Sequence, residues 1–157
     1  MDKIWMEALS RMVHGIYVLT ASHESEINGM IVSWVSQVSY DPPLIMVAVH
    51  PDRYSRRLIE KGKAFALHVI PNDRKDLLKR FKGPDPEAKF DSLRWSKGVT
   101  GAPLLEDCLA CLDCRLHTTI SPGNHTLFVG QVADGRVLST GRPMHSLDYE
   151  GVYRGER

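Results

Sequence analysis

The chain has 157 residues, 43% of them hydrophobic and 25% charged, with a formal net charge of +1. That length suits one domain able to bury most of its apolar surface, so residues 1–157 are read as a single domain. The near-zero charge, without a run of five or more like charges, gives no general field for nucleic acid or an anionic membrane.

No stretch approaches the roughly 18 apolar residues of a membrane span. The opening MDKIWMEALSRM lacks the apolar centre of a signal peptide, so a cytoplasmic location is expected. Within that opening, Ile4, Met6, Leu9, Met12 and Val13 approximate one helical face, with Gly15 placed to end the helix before a strand over 16–21. The helix is expected to lie against the sheet. After a polar turn, Met30–Ser39 reads as a strand with Met30, Val32, Trp34 and Val38 on one side. Ile31, Ser33, Val35, Gln37 and Ser39 take the other side, and Ser36 interrupts the apolar one. Hydroxyl and amide groups in a largely buried strand persist only when bonded, either to neighbouring strands or to a ligand. Asp41-Pro42-Pro43 ends the strand because proline donates nothing to a ladder.

A second strand, Leu44–Val49, runs into His50-Pro51 and a helix beginning at or shortly after Asp52 and closing near Gly62. First turns of helices carry unpaired amides and favour negative charge. Here Arg53, Arg56 and Arg57 crowd that turn, with Asp52 alone to offset them. A phosphate would accept the free amides and the Ser55 hydroxyl while an arginine adds charge-assisted bonds; solvated surface arginines are the alternative.

Further on, residues 64–70 read as a strand with Phe65, Leu67 and Val69 on one side and small Ala64 and Ala66 on the other. A short helix is expected through Phe81, capped by Asn72 or Asp73 and stopped at Gly83. Residues 82–105 lack periodicity and carry three glycines and three prolines, as loops that cover sites often do. The sequence then predicts strands over 108–120 and 126–133, a turn at Asp134-Gly135, a strand over 136–138, and a tail bearing Tyr149 and Tyr153.

Cys108, Cys111 and Cys114 look like a metal-binding run, but the bacterial iron–sulfur pattern needs a fourth cysteine where Thr118 stands. On a strand, Cys108 and Cys114 would face one way and Cys111 the other, so buried free thiols are expected and no metal site. The seven histidines show no metal-ligand spacing. Trp34, Tyr54, Phe90 and Trp95 are each compatible with plain packing.

Two blocks together resemble the flavin reductase family of FMN-binding split barrels. The first joins Ser33–Ser36, Ser39-Tyr40-Asp41-Pro42-Pro43, the strand 44–49 and the turn His50–Ser55; the second is Gly123-Asn124-His125-Thr126-Leu127-Phe128-Val129-Gly130-Gln131-Val132, with Asn124 where the family usually has aspartate. The segments 15–20 and Lys89-Phe90-Asp91 also fit, so the likeness spans nearly the whole chain. It implies a mainly β fold, a six-stranded antiparallel Greek-key split barrel with short flanking helices, usually a homodimer. It implies bound FMN, with NADH or NADPH as hydride donor and free flavin, a ferric chelate or a redox protein as acceptor. Ring contacts would come from Ser33, Trp34, Val35, Ser36 and Ser39, with Phe90 also among the cofactor-binding residues. Phosphate contacts would come from the turn at His50, Pro51, Arg53, Tyr54 and Ser55. His125 would receive the nicotinamide as the catalytic residue. The alternative within the family is a flavoredoxin-like electron carrier reduced by a protein donor, and beyond it a split-barrel module without flavin.

Overall fold

The computed structural model describes residues 3–149, 153 and 155. After helix α1 (Lys3–Leu9), the chain forms β1 (Tyr17–His23), β2 (Glu26–Val32), β3 (Val35–Ser39), β4 (Leu44–Val49), helix α2 (Tyr54–Gly62) and β5 (Ala64–Val69). Helix α3 (Lys75–Phe81), a 3-10 turn (Ala88–Phe90), β6 (Trp95–Lys97), β7 (Pro103–Leu105), β8 (Ala110–Ile120) and β9 (Thr126–Val137) follow. Seven strands form an antiparallel sheet in the order β2-β1-β5-β8-β9-β4-β3, and β6 pairs with β7 in a separate hairpin.

The expected strand over Met30–Ser39 is two strands. β2 pairs with β1 and β3 with β4, at opposite ends of the sheet order, so the chain bridges both edges at Ser33-Trp34. Counted as one, they give the six strands of the expected split barrel; counted by pairing, they give seven. The Ala48 N–H bonds the Trp34 carbonyl at 2.9 Å and fixes the crossing. β3 is also less buried than its hydroxyls implied, because it is an edge strand on which Ser36, Gln37 and Val38 are exposed.

Period-2 alternation divides the apolar residues between two cores. Leu19, Val47, Val49, Phe65, Leu67, Cys114 and Phe128 pack with Leu58 and Ile59 of α2. On the opposite side, Val18, Ala66 and Cys111 pack with α3, Phe90, Leu104 and Met144. Gly130 is needed where β9 crosses this packing, since a Cβ there would lie 2.7 Å from the Phe65 ring and 2.8 Å from the Cys114 Cβ. His68 pins the β6–β7 hairpin onto the sheet. Its Nδ1–H donates to the Val18 carbonyl and its Nε2 accepts the Leu105 N–H, both at 3.0 Å, while full burial lowers its pKa to about 4.

Several local expectations change. None of the α1 residues is buried, Ile4 and Leu9 are exposed and Met6 is half-buried, so the apolar face expected to lie against the sheet is not part of either core. Helix α3 begins after Arg74 without a side-chain cap, so neither Asn72 nor Asp73 caps it. Asp134-Gly135 is not a turn: β8 extends to Ala110, and a register shift between Asp113 and Cys114 keeps β9 paired through Val137. The segment 82–105 holds the 3-10 turn and the hairpin, whose Phe90, Leu104 and Leu105 join the core. Cys108 precedes β8 and shares a core with Cys111, leaving Cys114 on the other face; all three are buried free thiols.

Candidate active site

The site is assembled by strand register. Val49 pairs with Thr126, so the residue after β4 and the residue before β9, His50 and His125, stand side by side with ring centroids 5.3 Å apart. The bond that fixes the β2–β3 crossing brings Trp34 to the same end, 4.7 Å from the His125 ring. Tyr153 returns from the C-terminal tail and meets Trp34 edge-on at 5.0 Å. Its hydroxyl lies 2.7 Å from His125 Nε2, and Asn124 Oδ1 lies 2.8 Å from Nδ1. Burial and the neighbouring His50 hold the His125 pKa below its usual value, whereas burial raises that of Tyr153 against the opposing charge of Arg53.

Beside this aromatic cluster, α2 starts at Tyr54 with Arg53 as its N-cap, no acidic residue in the first turn and no side-chain cap. The three arginines separate in role. Arg56 pairs with Glu60 at 3.0 Å and Arg57 with Glu26 at 2.8 Å, while Arg53 forms no ion pair among the described residues. A second cation lies underneath. Lys89 is buried, its Nζ donating to Asn28 Oδ1 and the Gly29 carbonyl at 2.9 Å each; burial, and then the charge of Arg53, lower its pKa. Asn28 in turn donates to Ser55 Oγ at 2.9 Å. Two cations beside an uncapped helix start form an anion-binding arrangement.

Trp34, His50, Arg53 and His125 thus come together as a group. Val35 starts β3 opposite Val47, and Pro51 lies exposed in the turn. Ser33 lies at the crossing, Ser36 donates to the Gln37 carbonyl, and Ser39 faces Leu44 at the far end of β3. Ser55 is buried, its Oγ engaged by Asn28. Tyr54 shares Glu26 with Arg57, whose guanidinium lies over its ring. Phe90 is not brought to the group; it packs between Phe81 and Trp95 in the core beneath α3. Sequence reading did not assign Lys89, Asn28 or Tyr153 to the site. A polar asparagine in the apolar β2 and a lysine beside Phe90 were the visible signals for the first two.

The model of the flavin reductase like domain matches residues 9–157. The chain belongs to the flavin reductase-like family. It is 31% identical over 153 residues to the high molecular weight rubredoxin of Moorella thermoacetica, covering 95% of this chain and 67% of that protein. It is 32% identical over 142 residues to diflavin flavoprotein A 1 of Synechocystis, covering 87% of this chain and 24% of the relative, about a quarter of its length. The NADH:FAD oxidoreductase of Streptomyces globisporus C-1027, solved with NAD and FAD fragments, superposes with a TM-score of 0.82 at 26% identity, over 92% of this chain and 87% of that one. Membership of this family places the chain among oxidoreductases. No helix among the described residues is long and apolar enough to cross a membrane.

Proposed function

We propose that this chain binds FMN and serves as an NAD(P)H-dependent flavin reductase, working as a homodimer. The observation that carries the proposal is the pairing of Arg53 and buried Lys89 at the start of α2, beside the Trp34–His125 group. The residues present fit a flavin phosphate, since the first-turn amides have no side-chain cap and the turn itself carries no acidic residue. Arg53 would hold the phosphate from solvent and Lys89 from below. Among the described residues Lys89 has two of its three donors engaged, leaving one for the phosphate. The exposed β3 edge, with Ser36 and its backbone groups, would meet the polar edge of the ring, and Trp34 would shield one side. Bound flavin would supply the acceptance of a hydride from NADH or NADPH and delivery of electrons to free flavin, a ferric chelate or a redox protein.

His125 would orient the incoming nicotinamide through its imidazole, whose pKa burial and the neighbouring His50 lower. The test is absorbance: purified protein titrated with FMN should take up about one flavin per chain. Under anaerobic conditions the yellow band should bleach on adding NADH. A band that NADH leaves unchanged but dithionite bleaches would favour the electron carrier, and a protein that ignores FMN would favour a module without flavin. Preferential uptake of FAD would keep the reductase and change the cofactor.

A further inference from the structure

Tyr153 and Gly155 close over the group that the proposed function uses. The proton positions at His125 follow from its partners. Asn124 Oδ1 only accepts, so Nδ1 carries the proton and donates to it at 2.8 Å. A neutral imidazole protonated at Nδ1 presents Nε2 as an acceptor. The Tyr153 hydroxyl therefore donates to Nε2 at 2.7 Å and fills that acceptor. An aspartate at 124 would support an imidazolium with donors on both nitrogens; the asparagine here does not.

Gly155 completes the cover. It has φ +78, a conformation that side-chain-bearing residues rarely adopt, and a Cβ there would lie 3.0 Å from the Trp34 ring and 3.2 Å from His125 Cε1. Gly155 is thus seated against both rings at a position that suits glycine in space and in backbone angle.

We propose that Tyr153 is a gate residue at His125: its hydroxyl holds the Nε2 acceptor that an incoming N–H donor must take, so a ligand enters only as Tyr153 leaves. The ligand class is set by the acceptor. A carboxamide N–H replaces the tyrosine donor bond for bond, as a nicotinamide would, whereas a carboxylate brings oxygen against a nitrogen lone pair. This rests on the reading of His125 as the nicotinamide contact.

The experiment titrates FMN-loaded protein with NAD+, which binds without turnover. Tyr153→Phe keeps the ring and deletes the competing hydroxyl, so NAD+ should bind about two- to tenfold tighter, the range for one modest hydrogen bond that need not be broken. Gly155→Ala, strained at φ +78 and crowded by Trp34, should shift affinity the same way. Ring-nitrogen NMR of His125 in the parent should show a proton on Nδ1 and a bare Nε2 before NAD+ is added. NAD+ affinity that is unchanged or weaker in Tyr153→Phe, or a protonated Nε2 in the resting protein, overturns the gate. His125→Ala separates the two layers: it should weaken NAD+ binding, and if it binds NAD+ as the parent does, the nicotinamide reading itself fails and the gate with it.

Discussion

Replacing Arg53 with alanine tests the anion site where it is least entangled with folding. The side chain is exposed, forms no ion pair among the described residues, and serves α2 as an N-cap through its backbone alone, so its removal leaves no buried group unpaired. A hydrogen bond to a charged group contributes about 1.5–3 kcal/mol. Because Arg53 is exposed and screened by solvent, the lower end applies, about 1.5 kcal/mol or roughly a tenfold loss of FMN affinity at low ionic strength. Lys89 remains beneath the turn and keeps the phosphate from losing all positive charge. Arg53→Lys should fall between parent and alanine, since a lysine keeps the charge without the planar fork. The assay is quenching of flavin fluorescence on titration into the apoprotein, repeated at several salt concentrations. The parent should lose affinity with salt more steeply than Arg53→Ala. Equal dissociation constants for parent and alanine variant at low salt would refute the phosphate assignment.

His125→Ala should slow anaerobic flavin reduction at low NAD(P)H, or raise the apparent Michaelis constant, about tenfold or more for one lost polar contact, while FMN affinity changes little; stopped-flow reduction checks this, and parent-like rates at all NAD(P)H concentrations would remove His125 from the reaction. His68 has a folded pKa of about 4 against 6.5 unfolded, so its contribution is fully present above pH 6.5 and is lost as pH falls toward 4. The loss is about 3 kcal/mol by proton linkage. Urea melts of parent and His68→Gln across that window should show a shallower pH slope in the variant, and equal slopes would refute the role given to His68. Light scattering of the FMN-bound protein should give about twice the 17.7 kDa chain mass, with the exposed Ile4 and Leu9 face of α1 among the surfaces a second copy would cover; a monomer that retains tight FMN would refute the homodimer.

What the sequence disclosed depended on the range of the interaction that decides each feature. β4 and α2 were legible because an apolar run stopped by proline and a cap-poor helix start are local signals. The break at Ser33-Trp34 was not, because both halves are good strand and only the pairing of β2 with β1 and β3 with β4 separates them. Asp134-Gly135 has the composition of a turn, and cross-strand pairing with Leu112 and Asp113 overrides it. At the site, Arg53 stood out as a cation in a turn that disfavours one. Lys89 did not, because its role arises from burial against Asn28, which lies 61 residues away in sequence. Tyr153 was visible only as a tail tyrosine, and its partner His125 is 28 residues distant.

The most direct measurement is anaerobic mixing of the FMN-loaded protein with NADH, and separately with NADPH, in a stopped-flow spectrophotometer. The account expects the yellow flavin band to bleach within seconds with at least one of the two, at a rate that rises and then saturates with nucleotide concentration. A band that persists with both nucleotides, yet bleaches on adding dithionite, would contradict it.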